Sequence, residues 1–220
     1  MRIVIVEDHL MFREILRKVC SEELQHLVVG EAADGKQAVE LVARTSPQLV
    51  LLDLHLPFLC GFEVVEEIRK TAPDVRILVL SSHCDEYAVF RAERAQVNGF
   101  VDKNTNTVAT LKEAISAVAQ GKAWFSETFR KVRAARKKDP NSFDKVLSDR
   151  ERAVLALLDE PLSDEKGARR LAISEETVEK HRFNILRKLD LSGTTELVRY
   201  ARQHGFTLTV PSSEDGATLP

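Results

Sequence analysis

Over the first 120 positions, short runs of apolar residues alternate with stretches of helical period. The runs are Arg2–Val6, Leu27–Glu31, Leu49–Leu52, Arg76–Leu80 and Asn98–Val101. Near 9–22, 34–45, 61–72, 86–95 and 107–120, apolar residues recur every three or four positions, which predicts a helix in each. Strands alternating with helices of this length predict a parallel sheet covered on both faces. Leu49-Val50-Leu51-Leu52 has no polar residue at all, as a central parallel strand should.

From residue 148 the period is helical throughout. Ser148-Asp149-Arg150-Glu151 reads as a capping box opening a helix whose apolar face holds Val154, Leu155 and Leu158. Ser163 and Ser174 stand where caps belong for helices near 164–171 and from Glu175 to Leu189, and a fourth helix runs from Thr194 to His204. A short helix, a tight turn and a longer helix predict a helix-turn-helix, whose second helix enters a DNA major groove with its N-terminal half.

Composition narrows the class. A chain of 220 residues has room for two domains, and no apolar run reaches the roughly 18 residues a membrane span needs. The opening Met1-Arg2-Ile3-Val4-Ile5-Val6-Glu7-Asp8 turns acidic too soon for a signal peptide. Cys20, Cys60 and Cys84 are odd in number and form no CxxC, so neither a disulfide frame nor a zinc site is expected. They suit the reduced state of a cytoplasm. The net charge of −2 hides a gradient: residues 1–120 are acidic, while 121–147 carry eight Lys or Arg against three acids. That middle stretch, with Arg130–Lys138 as its basic run and a break at Asp139-Pro140-Asn141-Ser142, reads as a solvated linker, or more sharply as a nonspecific contact to phosphates. Residues 148–205 are charge-neutral, so charge alone does not argue for DNA there. Beyond Gly205 a tail rich in Ser, Thr, Gly and Pro is expected to be disordered.

The chemistry lies where the strand-like runs end: Glu7 and Asp8 after the first, Asp53 after the third, Ser81 after the fourth, Lys103 after the fifth. In an open parallel sheet the carboxyl ends of the strands face one crevice, so three carboxylates, a hydroxyl and an ammonium are expected to meet. Carboxylates so placed repel one another unless a cation sits among them. Mg²⁺ suits the purpose, because it takes a few hard oxygens and shares a phosphate readily. Asp53 can attack phosphorus to form an acyl phosphate. Lys103 would neutralise charge on the transferring group, and Ser81 would donate to a phosphoryl oxygen.

This constellation resembles the receiver domain of bacterial two-component response regulators, over residues 1–120. The matching text is Val6-Glu7-Asp8-His9, Asp53-Leu54-His55-Leu56-Pro57 with Gly61, Ser81-Ser82, and Gly99-Phe100-Val101-Asp102-Lys103. The resemblance implies a flavodoxin-like, doubly wound (βα)5 α/β fold with Asp53 as phosphoacceptor. It makes Asp8 a direct metal ligand, Glu7 a ligand through water and the backbone carbonyl of His55 the third protein ligand. Ser81 becomes the switch hydroxyl and Phe100 the aromatic that turns with it. Ser82 stands where Ala is usual, and Asp102 is an unusual acid before Lys103. A phosphotransferase of the haloacid-dehalogenase type also uses an Asp after a strand, but it needs a second Asp two positions on, where this chain has His55.

Residues 148–205 resemble the LuxR-type DNA-binding domain, most closely over Ile173–Leu189, with Leu147–Arg152 and Thr195–Val198 in support. Together the two halves look like a NarL/FixJ-type transcription regulator: a receiver, a basic linker over 121–147, an all-α helix-turn-helix domain over 148–205 and a tail over 206–220. The resemblance implies that Thr177, Lys180, His181, Arg182 and Lys188 face DNA or its phosphates, with Glu179 and Phe183 near base edges. Val178, Ile185, Leu186 and Leu189 read as core. It also implies a sensor histidine kinase or small phosphodonor as partner, double-stranded DNA as target, a homodimer when active, and neither an enzyme nor a membrane protein. Leu197, Val198 and Ala201 are either a contact between copies or intramolecular core. Three departures stand out: Pro161 where Gly is common, Gly167 where a core Ile is usual, and Ala172 for the usual Gly in the turn. Pro161, Gly167 and the charge-neutral domain motivate an alternative, a receiver-controlled signalling adaptor whose helical domain binds protein.

Overall fold

The computed structural model describes residues 1–157 and 164–206. Strand β1 (Arg2–Val6) pairs on one side with β2 (Leu27–Ala32) and on the other with β3 (Leu49–Asp53). Then follow β4 (Arg76–Ser81), β5 (Gly99–Asp102) and a short β6 (Trp124–Phe125), giving a parallel sheet of order β2-β1-β3-β4-β5-β6. The connecting helices are α1 (Leu10–Lys18), continued by a π-helical turn over Val19–Glu23, then α2 (Gly35–Thr45), α3 (Gly61–Thr71), α4 (Glu86–Arg94) and α5 (Val108–Ala119). The sheet is parallel and covered on both faces, as the alternation of runs predicts, and the architecture is the doubly wound, flavodoxin-like α/β fold that the resemblance implies.

Alternation along the strands explains why both faces are covered. Ile3, Ile5, Leu49, Leu51, Leu78 and Leu80 form one core with Leu16 of α1 and Leu111, Ile115 and Val118 of α5. Val4, Val6, Val50, Leu52 and Val79 point the other way and are equally inaccessible. Each such side chain contributes about 1.5–3 kcal/mol on leaving water. Cys20 and Cys60 are buried, and burial pushes their thiols up to about 12 and about 11. Neither is therefore a thiolate at neutral pH.

The stretch 121–147 is more ordered than its composition suggests. It holds β6, α6 (Glu127–Lys138) and α7 (Phe143–Val146). The sixth strand lies outside the five expected β–α units because two residues are too few to show alternation. Its pairing depends on Gly99, where a Cβ would come within 2.7 Å of the Trp124 carbonyl oxygen. Ser126 caps α6 through the Phe129 N–H (3.2 Å), and Phe129 is buried on its inner side. The helix stops at the Asp139-Pro140 break.

Contacts divide the described residues into two units: residues 1–84 with 91–130, and residues 85–90 with 131–157 and 164–206. The second unit is helical, with α8 (Asp149–Leu155), α9 (Asp164–Leu171), α10 (Glu175–Lys188) and α11 (Thr194–Gln203) after α7. Its core joins Phe143, Leu147, Val154, Leu155, Val178, Ile185, Leu197, Ala201 and Phe206, with Tyr87 stacked on Phe206 at 4.1 Å between ring centres. Two of the expected caps, at Ser148 and Ser174, are present. The Ser148 hydroxyl accepts from the Glu151 N–H while Glu151 accepts from the Ser148 N–H, and Ser174 accepts from the Thr177 N–H. Pro161, the cap at Ser163, Leu158 and the tail beyond Phe206 lie outside the described residues. Among the described residues no helix is long and apolar enough to cross a membrane.

Candidate functional site

The sheet order places β1 and β3 side by side, in register to Val6 and Leu52. Strand order reverses at β1, and in such sheets the ligand crevice opens outside the carboxyl ends there. Glu7, Asp8 and Asp53 leave the sheet at this point. Gly61, opening α3, holds the following loop close. Its N–H donates to the Leu54 carbonyl (2.9 Å), and a Cβ would lie 2.5 Å from the Asp53 carbonyl oxygen. Only a glycine allows that approach.

Lys103 arrives from the end of β5, its backbone N–H bound to the Ser81 carbonyl at 2.8 Å. Its ammonium donates to Asp53 Oδ2 and to Glu7 Oε2, each at 2.7 Å. Glu7 is wholly buried and Asp53 nearly so. The Asp53 Oδ1 accepts from the His55 N–H at 3.1 Å. Burial and, after it, the Asp53 charge raise the Glu7 carboxyl above its ordinary range, and Lys103 offsets this only in part. Asp8 is half-buried, with the exposed His9 imidazole at 2.9 Å from its Oδ1. One oxygen each from Glu7, Asp8 and Asp53 and one nitrogen from His9 lie within 4.8 Å of one another. A donor set of hard oxygens, in which one buried acid is destabilised by another, fits a small divalent cation. Glu7, His9, Asp53, His55, Ser82, His83 and Lys103 line a cleft of about 470 Å³ whose other wall is Leu10, Met11 and Phe12 of α1.

The remaining receiver residues have distinct places. Ser81 is fully buried and its hydroxyl accepts from the His83 N–H at 3.1 Å, so Ser82 and His83, rather than Ser81, line the cleft. The His55 and His83 rings lie 4.5 Å apart. Burial, then His83, lowers the His55 imidazole below its usual range. Phe100 is already wholly inside, 5.1 Å from the Phe129 ring, which in turn stacks on Phe125 at 4.6 Å. Nothing in the sequence pattern announced those partners. The unusual Asp102 is buried and organises the turn after β5, accepting from the Asn104 N–H (3.0 Å) and the Thr105 hydroxyl (2.8 Å).

In the helical unit, α10 buries Val178 and Ile185, while Leu186 and Leu189 pack on the same core at partial exposure. Lys180 is exposed, and His181 and Arg182 are partly so. Thr177 and Lys188, both expected at DNA, make hydrogen bonds within the unit. The Thr177 hydroxyl shares a hydrogen bond with Ser174 Oγ (2.7 Å), and the Lys188 ammonium donates to the buried Glu151 at 2.7 Å. Leu197 and Ala201 are fully buried, so intramolecular core is their place, with Val198 packed beside them. Gly167 is buried against Val178, and Ala172 takes the left-handed conformation, φ +52°, of the glycine it replaces.

Comparison with known proteins decides the family. Residues 3–116 match the response regulator receiver domain, and residues 145–201 match the bacterial regulatory proteins of the luxR family. The chain belongs to the NarL/FixJ-type response regulators. It is similar to the transcriptional regulatory protein DegU of Brevibacillus brevis, 30% identical across 93% of this chain and 94% of that one. It is also similar to the response regulator VraR of Staphylococcus aureus, 31% identical across 92% and 97%. Among solved structures, RcsB of Salmonella enterica serovar Typhimurium, bound to promoter rprA in the presence of phosphomimetic BeF3−, shares the fold with a TM-score of 0.70 at 21% identity, covering 92% of this chain and 98% of that one. A LuxR-family regulator from Aurantimonas is 32% identical over 63% of this chain and 98% of its own, with a TM-score of 0.59. This response regulator therefore carries a receiver and a LuxR-type DNA-binding domain in one chain.

Proposed function

We propose that Asp53 accepts a phosphoryl group from a sensor histidine kinase or a small phosphodonor, and that this controls transcription through the C-terminal domain. An Asp53 carboxylate oxygen attacks phosphorus, the bond to the donor breaks, and the electron pair leaves with the donor's nitrogen or oxygen. Mg²⁺, held by Asp8, Asp53, the backbone carbonyl of His55 and, through water, Glu7, would supply positive charge against the phosphoryl oxygens. Lys103 then exchanges its bond to Asp53 for one to the phosphoryl group, and the Ser81 hydroxyl turns toward it. Phe100, packed on Phe129, settles with that movement. The altered face near the fourth and fifth β–α units frees the helical domain or promotes a homodimer. The dimer reads two DNA half-sites about one helical turn apart. Thr177, Lys180, His181, Arg182 and Lys188 meet DNA or its phosphates, and the protein works in the cytoplasm as a regulator rather than an enzyme.

The observation that carries this reading is the shared Lys103 ammonium, 2.7 Å from both Glu7 and Asp53. A structural ion pair needs one carboxylate, and two of them crowded on one cation are an arrangement for an incoming anion and metal. The test is labelling by radioactive acetyl phosphate with Mg²⁺, strong in the wild type and absent in Asp53→Ala. Equal labelling of the two would remove Asp53 from its role. The adaptor reading draws on the engagement of Lys188 and Thr177 within their own unit. Binding of duplex DNA that weakens steeply with salt favours the transcription regulator, and binding indifferent to DNA favours the adaptor.

A further inference from the structure

Phe183 is the most exposed large apolar side chain described in the helical unit, 64% accessible in the middle of α10. A helix advances about 100° per residue, so Glu176, Glu179, Lys180 and Arg187, all exposed, lie within roughly 60° of it around the helix. The buried Val178 and Ile185 lie on the opposite side. Two acids and two bases cancel, and the outer face of α10 carries no net charge around an apolar centre. A phosphate backbone has little to gain from such a centre. The floor of the major groove does, since it offers one apolar group, the C5-methyl of thymine. A phenyl ring set against the amino group of cytosine or the O6 of guanine would strip water from a polar edge and return no hydrogen bond.

We infer that Phe183 is a specificity-determining residue that reads thymine, one in each half-site, by packing on its C5-methyl. The inference rests on the DNA-binding reading of the helical domain and adds the base it selects. Lys180 and Arg187 hold the helix in the groove, and Phe183 discriminates among the pairs beneath it.

The test uses the full chain treated with acetyl phosphate and Mg²⁺, and duplexes selected from a library with a random core. Wild type, Phe183→Ser and Phe183→Leu are selected in parallel, and their thermal unfolding is compared to confirm that all are folded. The expected result is a thymine in each half-site of the wild-type motif that Phe183→Leu retains and Phe183→Ser loses. Replacing that thymine by deoxyuridine, which removes only the methyl, weakens wild-type binding about fourfold and leaves Phe183→Ser unchanged. Identical motifs for wild type and Phe183→Ser, or indifference of the wild type to deoxyuridine, overturn the inference while salt-dependent binding keeps the DNA reading intact. A change confined to self-association of Phe183→Ser overturns it as well, by making the ring a contact between copies. If no variant retains duplex DNA at low salt, the DNA reading itself fails, and the inference with it.

Discussion

Each unit buries a glutamate with a lysine ammonium at 2.7 Å, Glu7 with Lys103 and Glu151 with Lys188, and the two acids respond in opposite directions. Burial raises Glu151, but Lys188 and the two Ser148 bonds outweigh that, and its carboxyl ends below the ordinary value. Burial raises Glu7 too, and there the Asp53 charge adds to it while Lys103 is divided between two acids. Glu151 has a lysine to itself and a backbone N–H besides. Glu7 has half of one and a longer bond from the His9 N–H, at 3.4 Å. The satisfied acid is part of the scaffold, pinning the start of α8 to the end of α10. The frustrated one belongs to a pocket that still lacks positive charge, which is the property a cation and a phosphoryl group need.

The largest test of that contrast is removal of each lysine. Lys103→Met leaves two buried carboxylates facing each other and should cost about 3 kcal/mol in urea unfolding at pH 8 without divalent metal, with part of the loss returned by Mg²⁺. Lys188→Met should cost about 1 kcal/mol, because its ammonium is over a third exposed and Glu151 keeps its Ser148 bonds. Equal losses would break the comparison. The pH dependences should differ in sign. Glu151, held low, contributes stability present above about pH 4.5 and lost as pH falls through its folded value, so the advantage of the wild type over Glu151→Gln disappears in acid. Glu7, held high, contributes stability that is complete below about pH 4.5 and lost as pH rises through its folded value. Relative to the wild type, Glu7→Gln should therefore gain stability as pH rises in metal-free buffer. Matching slopes for the two variants would contradict the assignment.

Two smaller effects test whether the helical unit is locally relaxed. In Gly167→Ala the new Cβ meets Val178 Cγ1 at an ordinary 3.6 Å, so the helix propensity gain of about 0.8 kcal/mol should appear whole. Ala172→Gly releases a left-handed alanine and should add about 0.5 kcal/mol once the extra freedom of glycine in the unfolded chain is subtracted. Thermal unfolding measures both, and a loss of stability in either would mean that the turn between α9 and α10 is held by contacts other than those described.

Much of the acid pocket was legible because it depends on topology alone. Asp53 and Lys103 close apolar runs, and parallel strands bring such positions to one end whatever the side-chain details. The caps at Ser148 and Ser174 were legible for a similar reason, since each acts within three residues. Lys188 shows where that kind of reading stops. Its type and helix suggest phosphate contact, yet its partner Glu151 is 37 residues away, at a distance no local pattern encodes. The same holds for Phe129 against Phe100, and for the pairing of Trp124–Phe125 at the sheet edge, where a strand of two residues leaves no period to detect.

By itself, the sequence determined the order of the five β–α units and of the helices after residue 148, the family, and which residues stand at the ends of the five strands, because periodicity and motif spacing are properties of neighbours along the chain. Only the tertiary structure decided how charge is shared: that one ammonium serves two acids beside the cleft, that another is held by a scaffold glutamate, that Ser81 faces inward, and that Phe183 is left in water. Those outcomes follow from which residues far apart in the chain are brought together, and in a poorly solvated interior the charges gathered within a few ångströms decide the direction in which a carboxyl shifts.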